Sequence, residues 1–517
     1  MRKQPNILFV MTDQQRSDTI RALGNRAIRT PVLDSLVQSG TAFTNCYTPS
    51  PVCVAARSAT ITGVPPHLNG CTSNNASPMQ LQSIMQVLQA AGYQTHGIGK
   101  MHFSPQADAM WGFDSRDISE EGARQQGSRN DFHDYLLEKD FGHVLEPQGL
   151  RSEMYYIPQP SQLPAQHHHT TWVADRAIDF LRQRDSERPD GSVSTRPDGS
   201  VSTRPDGSVS TRPFFLWTSF IKPHPPFESP VPWNKLYRAA DMLPPRRPEG
   251  YEHMLSWWNH HQNRYKYRDK GYDEMLVRTM KAMYYACISF IDFNLGRILA
   301  ALGDEIENTL ILYTSDHGEM LGDYGSFGKR TMLNPAAKIP LILRAPAAAN
   351  PGQRIDRPVS LLDVFPTFAA AAGLDIARPS PDSANLLDIA AGDIQREYVT
   401  SQVGDGNTGL YMIAGRDLKY IYSAADNKEW LFDLRIDPLE TKNWAGNTRY
   451  QRQLREMRDR LIGRFERDGY DRAAQNGEWR KYEPPAFPDP AADDGLLFQD
   501  ASHLPDLLRA LGPYYER

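Results

Sequence analysis

Two short apolar runs, each closed by an aspartate, constrain this chain more than any other feature. Asn6–Met11 reads NILFVM and passes into Thr12-Asp13-Gln14, and Thr309–Thr314 reads TLILYT and passes into Ser315-Asp316-His317. Such runs fit strands buried on both faces, the character of strands inside a parallel sheet. Gln94–Ile98, Phe214–Phe220 and Pro340–Leu343 read the same way. Helical patterns separate them: Val32–Ser39 with Leu33, Leu36 and Val37 on one face, Leu81–Ala91 with Ile84, Met85, Val87, Leu88 and Ala91, then Trp172–Gln183 and Leu276–Leu302. Strands alternating with amphipathic helices predict an α/β fold, a large mostly parallel sheet covered by helices on both faces. After about Pro381 the pattern changes. Short strands at Tyr411–Ile413, Leu418–Tyr422 and Trp430–Leu434, then a charged helix at Tyr450–Asp468, predict a small antiparallel sheet plus helix. The expected division is an α/β domain over 1–385 and an α+β subdomain over 386–517.

A length of 517 residues allows more than one core, and 40% hydrophobic with 23% charged residues is ordinary for a globular protein. A net charge of -5 gives no general attraction to nucleic acid or anionic membrane. No uninterrupted apolar run approaches the roughly 18 residues that cross a bilayer. The start, MRKQPNILFVMTDQQ, has the basic residues of a signal peptide, but its apolar run stops at Thr12 and Asp13 without a small-residue cleavage site. It is expected to be the first buried strand of a cytoplasmic protein. Cys46, Cys53, Cys71 and Cys287 are too few for a disulfide framework and lack CxxC spacing, so a reduced compartment fits and a Cys46–Cys71 bridge is not expected. RPDGSVST occurs three times in succession from Arg188 to Thr211, which predicts a repeat-expanded surface loop over 188–213.

In an open α/β sheet, ligands gather at the carboxyl ends of the strands. Three polar clusters fall there: Asp13-Gln14, Lys100 with His102 in GKMHF, and Asp316-His317 in TSDHGE. Taken singly, an Asp after a strand is a turn or cap residue. Two carboxylates with an amide and an imidazole, after separate strands, can together hold one divalent cation. His167-His168-His169 has no acidic or thiol residue close in sequence to complete a metal set, and reads as the start of the helix that follows.

The stretch SPVCVAARSATITG resembles the signature of the type I, formylglycine-dependent sulfatases of the alkaline phosphatase superfamily: a cysteine, Pro or Ala two on, Arg four on, then Thr-Gly. MTDQQ, GKMHF, KPHPPF, SDHGE, FGKRTM, VSLLDVFPTFAAAAG and WLFDLRIDPLETKNWA resemble further family segments, in order, from about Pro5 to Ala445. The resemblance implies an alkaline-phosphatase-like fold and hydrolysis of a sulfate monoester. In that family the cysteine is oxidised to formylglycine, whose hydrate offers one hydroxyl to attack sulfur and a second to expel sulfate. Carried over, Cys53 is the formylglycine precursor, Arg57 steadies the diol and His102 is the base that releases sulfate. Lys100, His224 and Lys329, with Asn75 of SNNASP, would surround the sulfate, and His224 or Lys329 would protonate the leaving alcohol.

The implied metal ligands are Asp13, Gln14, Asp316 and His317, with the modified Cys53. Calcium is the family's common ion, whereas an imidazole and one fewer carboxylate than the usual Asp-Asp-Asp-Asn set favour manganese. The same Asp-Gln and Asp-His pairs resemble those of phosphonate monoester hydrolases. Phosphonate monoester or phosphodiester hydrolysis by the same nucleophile is therefore the alternative activity, and a chain never matured would be a non-catalytic anion-binding protein. Ala55, where many members carry proline, brings in a radical-type maturase beside the formylglycine-generating enzyme. The implied partners are a small-molecule or saccharide sulfate ester and that maturase, with a homo-oligomer left open. Trp479, Arg480 and Tyr482 are expected to line the pocket mouth, recognise a sugar or bury a dimer surface.

Overall fold

A computed structural model describes residues 4–74, 79–121, 129–151, 155–185, 212–267, 271–346 and 351–487. The sheet and its helices are β1 (Asn6–Asp13), α1 (Pro31–Ser39), β2 (Thr41–Phe43), α2 (Cys53–Thr62), α3 (Ile84–Ala90), β3 (Gln94–Gly99), β4 (Ser115–Ile118), α4 (His169–Asp185), β5 (Phe214–Pro223), α5 (Glu274–Leu302), β6 (Thr309–Ser315), β7 (Leu341–Arg344), β8 (Gln353–Ile355) and α6 (Val364–Ala371). The strands form one eight-stranded sheet in the order β8-β2-β7-β6-β1-β5-β3-β4. Only β7 runs against its neighbours, β2 and β6; the other pairs are parallel.

Every residue of β1 is buried, and its side chains divide by the two-residue period of a strand. Ile7, Phe9 and Met11 pack with α3 and α6, whereas Leu8 and Val10 pack with α1, α4 and α5 on the other face. The central strands are therefore apolar throughout because each face has its own helical cover. Helix α3 begins at Ile84 rather than Leu81 because Ser83 closes a capping box with Gln86: Ser83 Oγ accepts from Gln86 N at 3.1 Å, and Gln86 Oε1 accepts from Ser83 N at 2.9 Å. Among the described residues, α5 belongs to the one helical stretch long and apolar enough to cross a membrane, and 61% of its apolar 18-residue window is buried inside the protein.

The C-terminal region adds an antiparallel sheet of β9 (Tyr398–Val403), β10 (Leu410–Gly415), β11 (Leu418–Ser423) and β12 (Lys428–Asp433), with α7 (Gln451–Arg467) on one face. Its other face packs Met412, Ala414, Ile421, Trp430 and Phe432 against Val52, Val54 and Ala55 at the start of α2. This small sheet thus backs the helix that begins at Cys53. Trp479 is buried in the cluster with α7, its ring 4.4 Å from that of Tyr422 and its Nε1 donating to Tyr420 at 2.8 Å. It is a core residue, not one at a pocket mouth, because three strand tyrosines offer it a stacked apolar seat. Tyr482 packs partly against the same cluster and its hydroxyl donates to Arg472 O. The repeat falls within 186–211, outside the described residues.

Candidate active site

The parallel register places the polar strand ends side by side. Thr12 pairs with Ser315, so Asp13 and Asp316 leave the sheet as neighbours, and Gly99 pairs with Ser219. Gln14 then takes a left-handed backbone conformation, φ 68, a strained one for a residue with a Cβ, and its N–H donates to Asp316 Oδ1 at 3.0 Å. A Cβ at Gly99 would lie 2.1 Å from Ser219 O, so only glycine lets the chain turn there into Lys100. Helix α2 enters from the side with Cys53 in its first turn, and Arg57 follows one turn later on the same face.

Arg57 ties these ends together. Its Nε donates to Asp316 Oδ2 at 2.8 Å, its NH1 to Lys100 O at 2.6 Å and to Ser219 Oγ at 3.0 Å, and its NH2 lies 3.4 Å from Asp13 Oδ2. The guanidinium is fully buried, and its contacts are spread over four neighbouring strands, β1, β3, β5 and β6. The Cys53 sulfur lies 3.2 Å from His317 Nε2, 2.8 Å from Lys329 Nζ and 3.8 Å from Asp13 Oδ1. Neither Lys100 nor Lys329 is a surface charge. Lys100 Nζ lies 2.5 Å from Asp13 Oδ2, and Lys329 Nζ donates to Gln14 Oε1 at 3.0 Å.

A cation fits this group. Asp13, Cys53, Asp316 and His317 are buried and offer ligand atoms all within 4.8 Å of one another. His317 Nδ1 faces the carbonyl of Gly318 at 3.0 Å, which can only accept, so Nδ1 carries the proton and Nε2 turns a lone pair inward. Gly318 is required for that turn, since a Cβ there would sit 2.0 Å from Pro335 O. Burial lowers the His317 pKa, but Asp316 and Cys53 raise it above its ordinary value; the surroundings favour positive charge at Nε2. Burial likewise raises the Asp13 carboxyl, and Lys100, His224, Lys329 and Arg57 outweigh it and hold Asp13 well below the carboxylate range. Burial and Asp13 push the Cys53 thiol up, while Lys329, Lys100 and His317 bring it well below its ordinary value.

His224 lies beyond Lys100. Its Nδ1 donates to Pro225 O at 2.6 Å and lies 3.2 Å from Glu121 Oε2. Burial, opposed by Glu121, puts its pKa well below the ordinary imidazole value. His102 is half-buried with φ 52; its N–H donates to Glu120 Oε1 at 2.9 Å, and among the described residues it makes no hydrogen bond to Cys53. Asn75 lies outside the described residues. His168 opens no metal set with its neighbours, but it does meet an acid distant in sequence: its Nε2 lies 3.0 Å from Glu228 Oε1, and Lys222 Nζ lies 3.0 Å from the same oxygen. None of the four cysteines forms a disulfide, and all four are buried.

Three residues of the site escape a motif-based reading. Glu319 accepts a short hydrogen bond from Gln14 Nε2 and others from Gly328 N at 2.6 Å and Tyr156 at 3.2 Å, which fixes which way the Gln14 amide faces. Its signal was present in SDHGE, two residues past His317. Glu120 and Glu121 follow β4, a polar strand whose sequence, SRDI, hides it. Had β4 been recognised, the rule that ligands gather at strand ends would have drawn attention to both.

The chain matches the family model described as Sulfatase over residues 5–194 and 202–374, and that of the C-terminal region of N-sulphoglucosamine sulphohydrolase over 322–466. It is 28% identical to an arylsulfatase of Clostridium perfringens over 498 residues, covering 90% of this chain and 96% of that one. It is also 28% identical to a choline-sulfatase of Rhizobium meliloti over 507 residues, covering 93% and 90% of the two chains. The fold is similar to that of a phosphonate monoester hydrolase of Agrobacterium radiobacter, with a TM-score of 0.72, 21% identity and coverage of 90% and 96%.

Proposed function

The chain belongs to the sulfatase family and is a hydrolase of sulfate esters, and we propose that Cys53, oxidised to the aldehyde, carries its nucleophile over a cation held by Asp13, Gln14, Asp316 and His317. The observation that carries this reading is the convergence of Cys53 Sγ with two carboxylates and His317 Nε2 at the ends of β1 and β6. Hydrated, the aldehyde would supply two hydroxyls on one carbon, and a divalent ion would supply Lewis acidity toward oxygen. The chain's own residues then have distinct tasks. Lys329 Nζ, 2.8 Å from the sulfur, donates beside the reacting atom and would be within reach of an oxygen departing there. His224 has its Nδ1 proton committed to Pro225 O and a depressed pKa, which leaves Lys329 as the better-placed acid for the alcohol. Lys100, fixed by Asp13, adds a positive charge where the ester's anion would sit. Arg57 keeps the two aspartates in register.

The imidazole in the ligand set supports manganese over calcium. Cys53 is fully buried in the first turn of a wholly buried helix, which supports oxidation of the thiol before α2 packs. The similarity in fold to a phosphonate monoester hydrolase, with the Gln14 and His317 donors, supports testing phosphonates beside sulfates. For the alcohol half, sulfated saccharides, choline sulfate and aryl sulfates form the panel that the relatives' names suggest.

The test combines mass analysis of the Cys53 peptide with kcat/KM for an aryl sulfate and an aryl phosphonate. Aldehyde at Cys53 and preference for the sulfate are expected. Full sulfate hydrolysis by protein whose Cys53 remains a thiol would sink the nucleophile, and a large preference for the phosphonate would replace the substrate class.

A further inference from the structure

Glu121 has a charge of the wrong sign for its place. The groups around it face an anion in the reading above, yet its carboxylate lies among them, with its side chain 15% exposed. Its Oε1 accepts from Lys100 Nζ at 3.1 Å, and its Oε2 accepts from Arg151 NH1 at 3.2 Å and lies 3.2 Å from His224 Nδ1. Lys100 Nζ in turn touches Asp13 Oδ2 at 2.5 Å, so a single ammonium separates Glu121 from the strand-end carboxylate. Burial would raise the Glu121 carboxyl, but the His224 ring beside it and the charges of Lys100 and Arg151 outweigh burial and hold it well below the carboxylate range. Asp13 alone already anchors Lys100. Glu121 therefore adds something more than an anchor: a fixed negative charge that offsets part of the positive field at the pocket.

We propose that Glu121 is a specificity-determining residue, which favours singly charged esters such as sulfate monoesters over doubly charged ones of the same shape, such as phosphate monoesters. The proposal rests on the reading of Lys100 and His224 as groups that face the ester. A fixed carboxylate repels each unit of ligand charge separately, so a monoanion meets that repulsion once and a dianion twice. If an ester sat about 7 Å from the carboxylate, an effective dielectric constant of about 20 would make the extra repulsion roughly ten- to a hundredfold in relative binding of the transition state. Arg151, on the far side of the same carboxylate, works in the opposite sense.

The experiment compares an aryl sulfate with the aryl phosphate of the same leaving group, using matured, metal-loaded enzyme at about pH 8, where the phosphate ester is doubly charged. Glu121→Gln should raise the phosphate-to-sulfate ratio of kcat/KM by about tenfold or more, and Arg151→Gln should lower it. At about pH 5, with the phosphate ester mostly singly charged, the advantage of Glu121→Gln should shrink. A positioning role alone would depress both esters by one factor; an unmoved ratio in Glu121→Gln overturns the proposal. If Glu121→Gln does not fold, the Arg151→Gln ratio decides, and a ratio unchanged or shifted toward phosphate overturns it. Matured wild type that turns over neither ester would sink the reading of the pocket and the proposal with it, whereas working wild type with unmoved ratios sinks the proposal alone.

Discussion

Beneath the C-terminal sheet, Lys419 on β11 is as thoroughly buried as any charge at the strand ends. Its Nζ lies 2.6 Å from Glu440 Oε1 and donates to Asn334 Oδ1 at 3.0 Å, while Glu440 Oε2 accepts from Asn334 N at 2.6 Å. One cation meets one anion there, and the remaining valences are filled by neighbouring amides. At the ends of β1 and β6, by contrast, two carboxylates, a sulfur and an imidazole nitrogen point at a common centre while Arg57, Lys100 and Lys329 press on them from outside. Burial of charge is common to both places. What separates them is that the first arrangement is closed by its own partners, and the second brings together ligand atoms of the kind that could hold a cation. Breaking a pair of the first kind costs stability, whereas a cluster of the second kind, with strongly displaced pKa values at Asp13 and Cys53, has the character of a functional site.

The largest expected difference comes from Asp316→Asn. It removes one carboxylate from the converging set and the main anchor of Arg57 Nε. Turnover of an aryl sulfate should fall by about a thousandfold, and the rise in Tm that added manganese or calcium gives the wild type should disappear. A variant that keeps both the metal-dependent Tm and most of its activity would erase the distinction between the two regions.

Glu440→Gln should behave in the opposite way. It leaves Lys419 buried without its anion and should cost about 3 kcal/mol of stability, with activity per folded molecule and the metal-dependent Tm retained. Burial already lowers the Lys419 pKa, against the pull of Glu440. A lysine with a depressed folded-state pKa binds fewer protons folded than unfolded, so stability rises with pH between the folded and the unfolded pKa. Without Glu440 that depression deepens, and the deficit of the variant should therefore shrink as pH is raised from about 7 toward 10. A deficit that grows over that range would show that Lys419 is not the residue left exposed to the cost.

The same contrast explains what could be read from sequence. NILFVM and TLILYT name their strands because burial on both faces leaves an unbroken apolar run, and the parallel order then dictates that their acidic ends meet. Cys53 and Arg57, one helical turn apart, and the lysines of GKMHF and FGKRTM were legible through family resemblance, which marks positions without giving distances. β4 and β9 were not legible. β4 is a sheet edge with polar residues, and β9, YVTSQV, has a serine and a glutamine among its buried positions. Glu121 was lost with β4, and Glu228 as the partner of His168 was lost because 60 residues separate them. Pairings of that kind depend on the packed fold and leave no local pattern.

Asp292 offers the finest test of the comparison, because it is a buried carboxylate with neither a cation nor a convergent site. On α5, its two oxygens accept from Val32 N at 3.1 Å and Leu33 N at 2.8 Å, and so cap α1, whose own N-cap Thr30 makes no side-chain capping bond. Burial raises its pKa, those two N–H groups lower it and Asp34 raises it, with a net position pushed up to about 7. A carboxyl raised in the folded state binds more protons folded than unfolded. Its contribution is therefore fully present below the ordinary carboxylate range and is lost as pH rises through about 7. Between about pH 6 and pH 7 the wild type should lose up to roughly 1 kcal/mol relative to Asp292→Asn, whose side chain has no proton to release. On further acidification the wild type should go on gaining relative to the variant, and the gain should level off only below about pH 4, where the unfolded carboxyl is protonated as well. Parallel denaturation curves across that range would mean that two backbone N–H groups stabilise the ionised Asp292 as well as a lysine would, and that a cationic partner is not what distinguishes a comfortable buried carboxylate from a strained one.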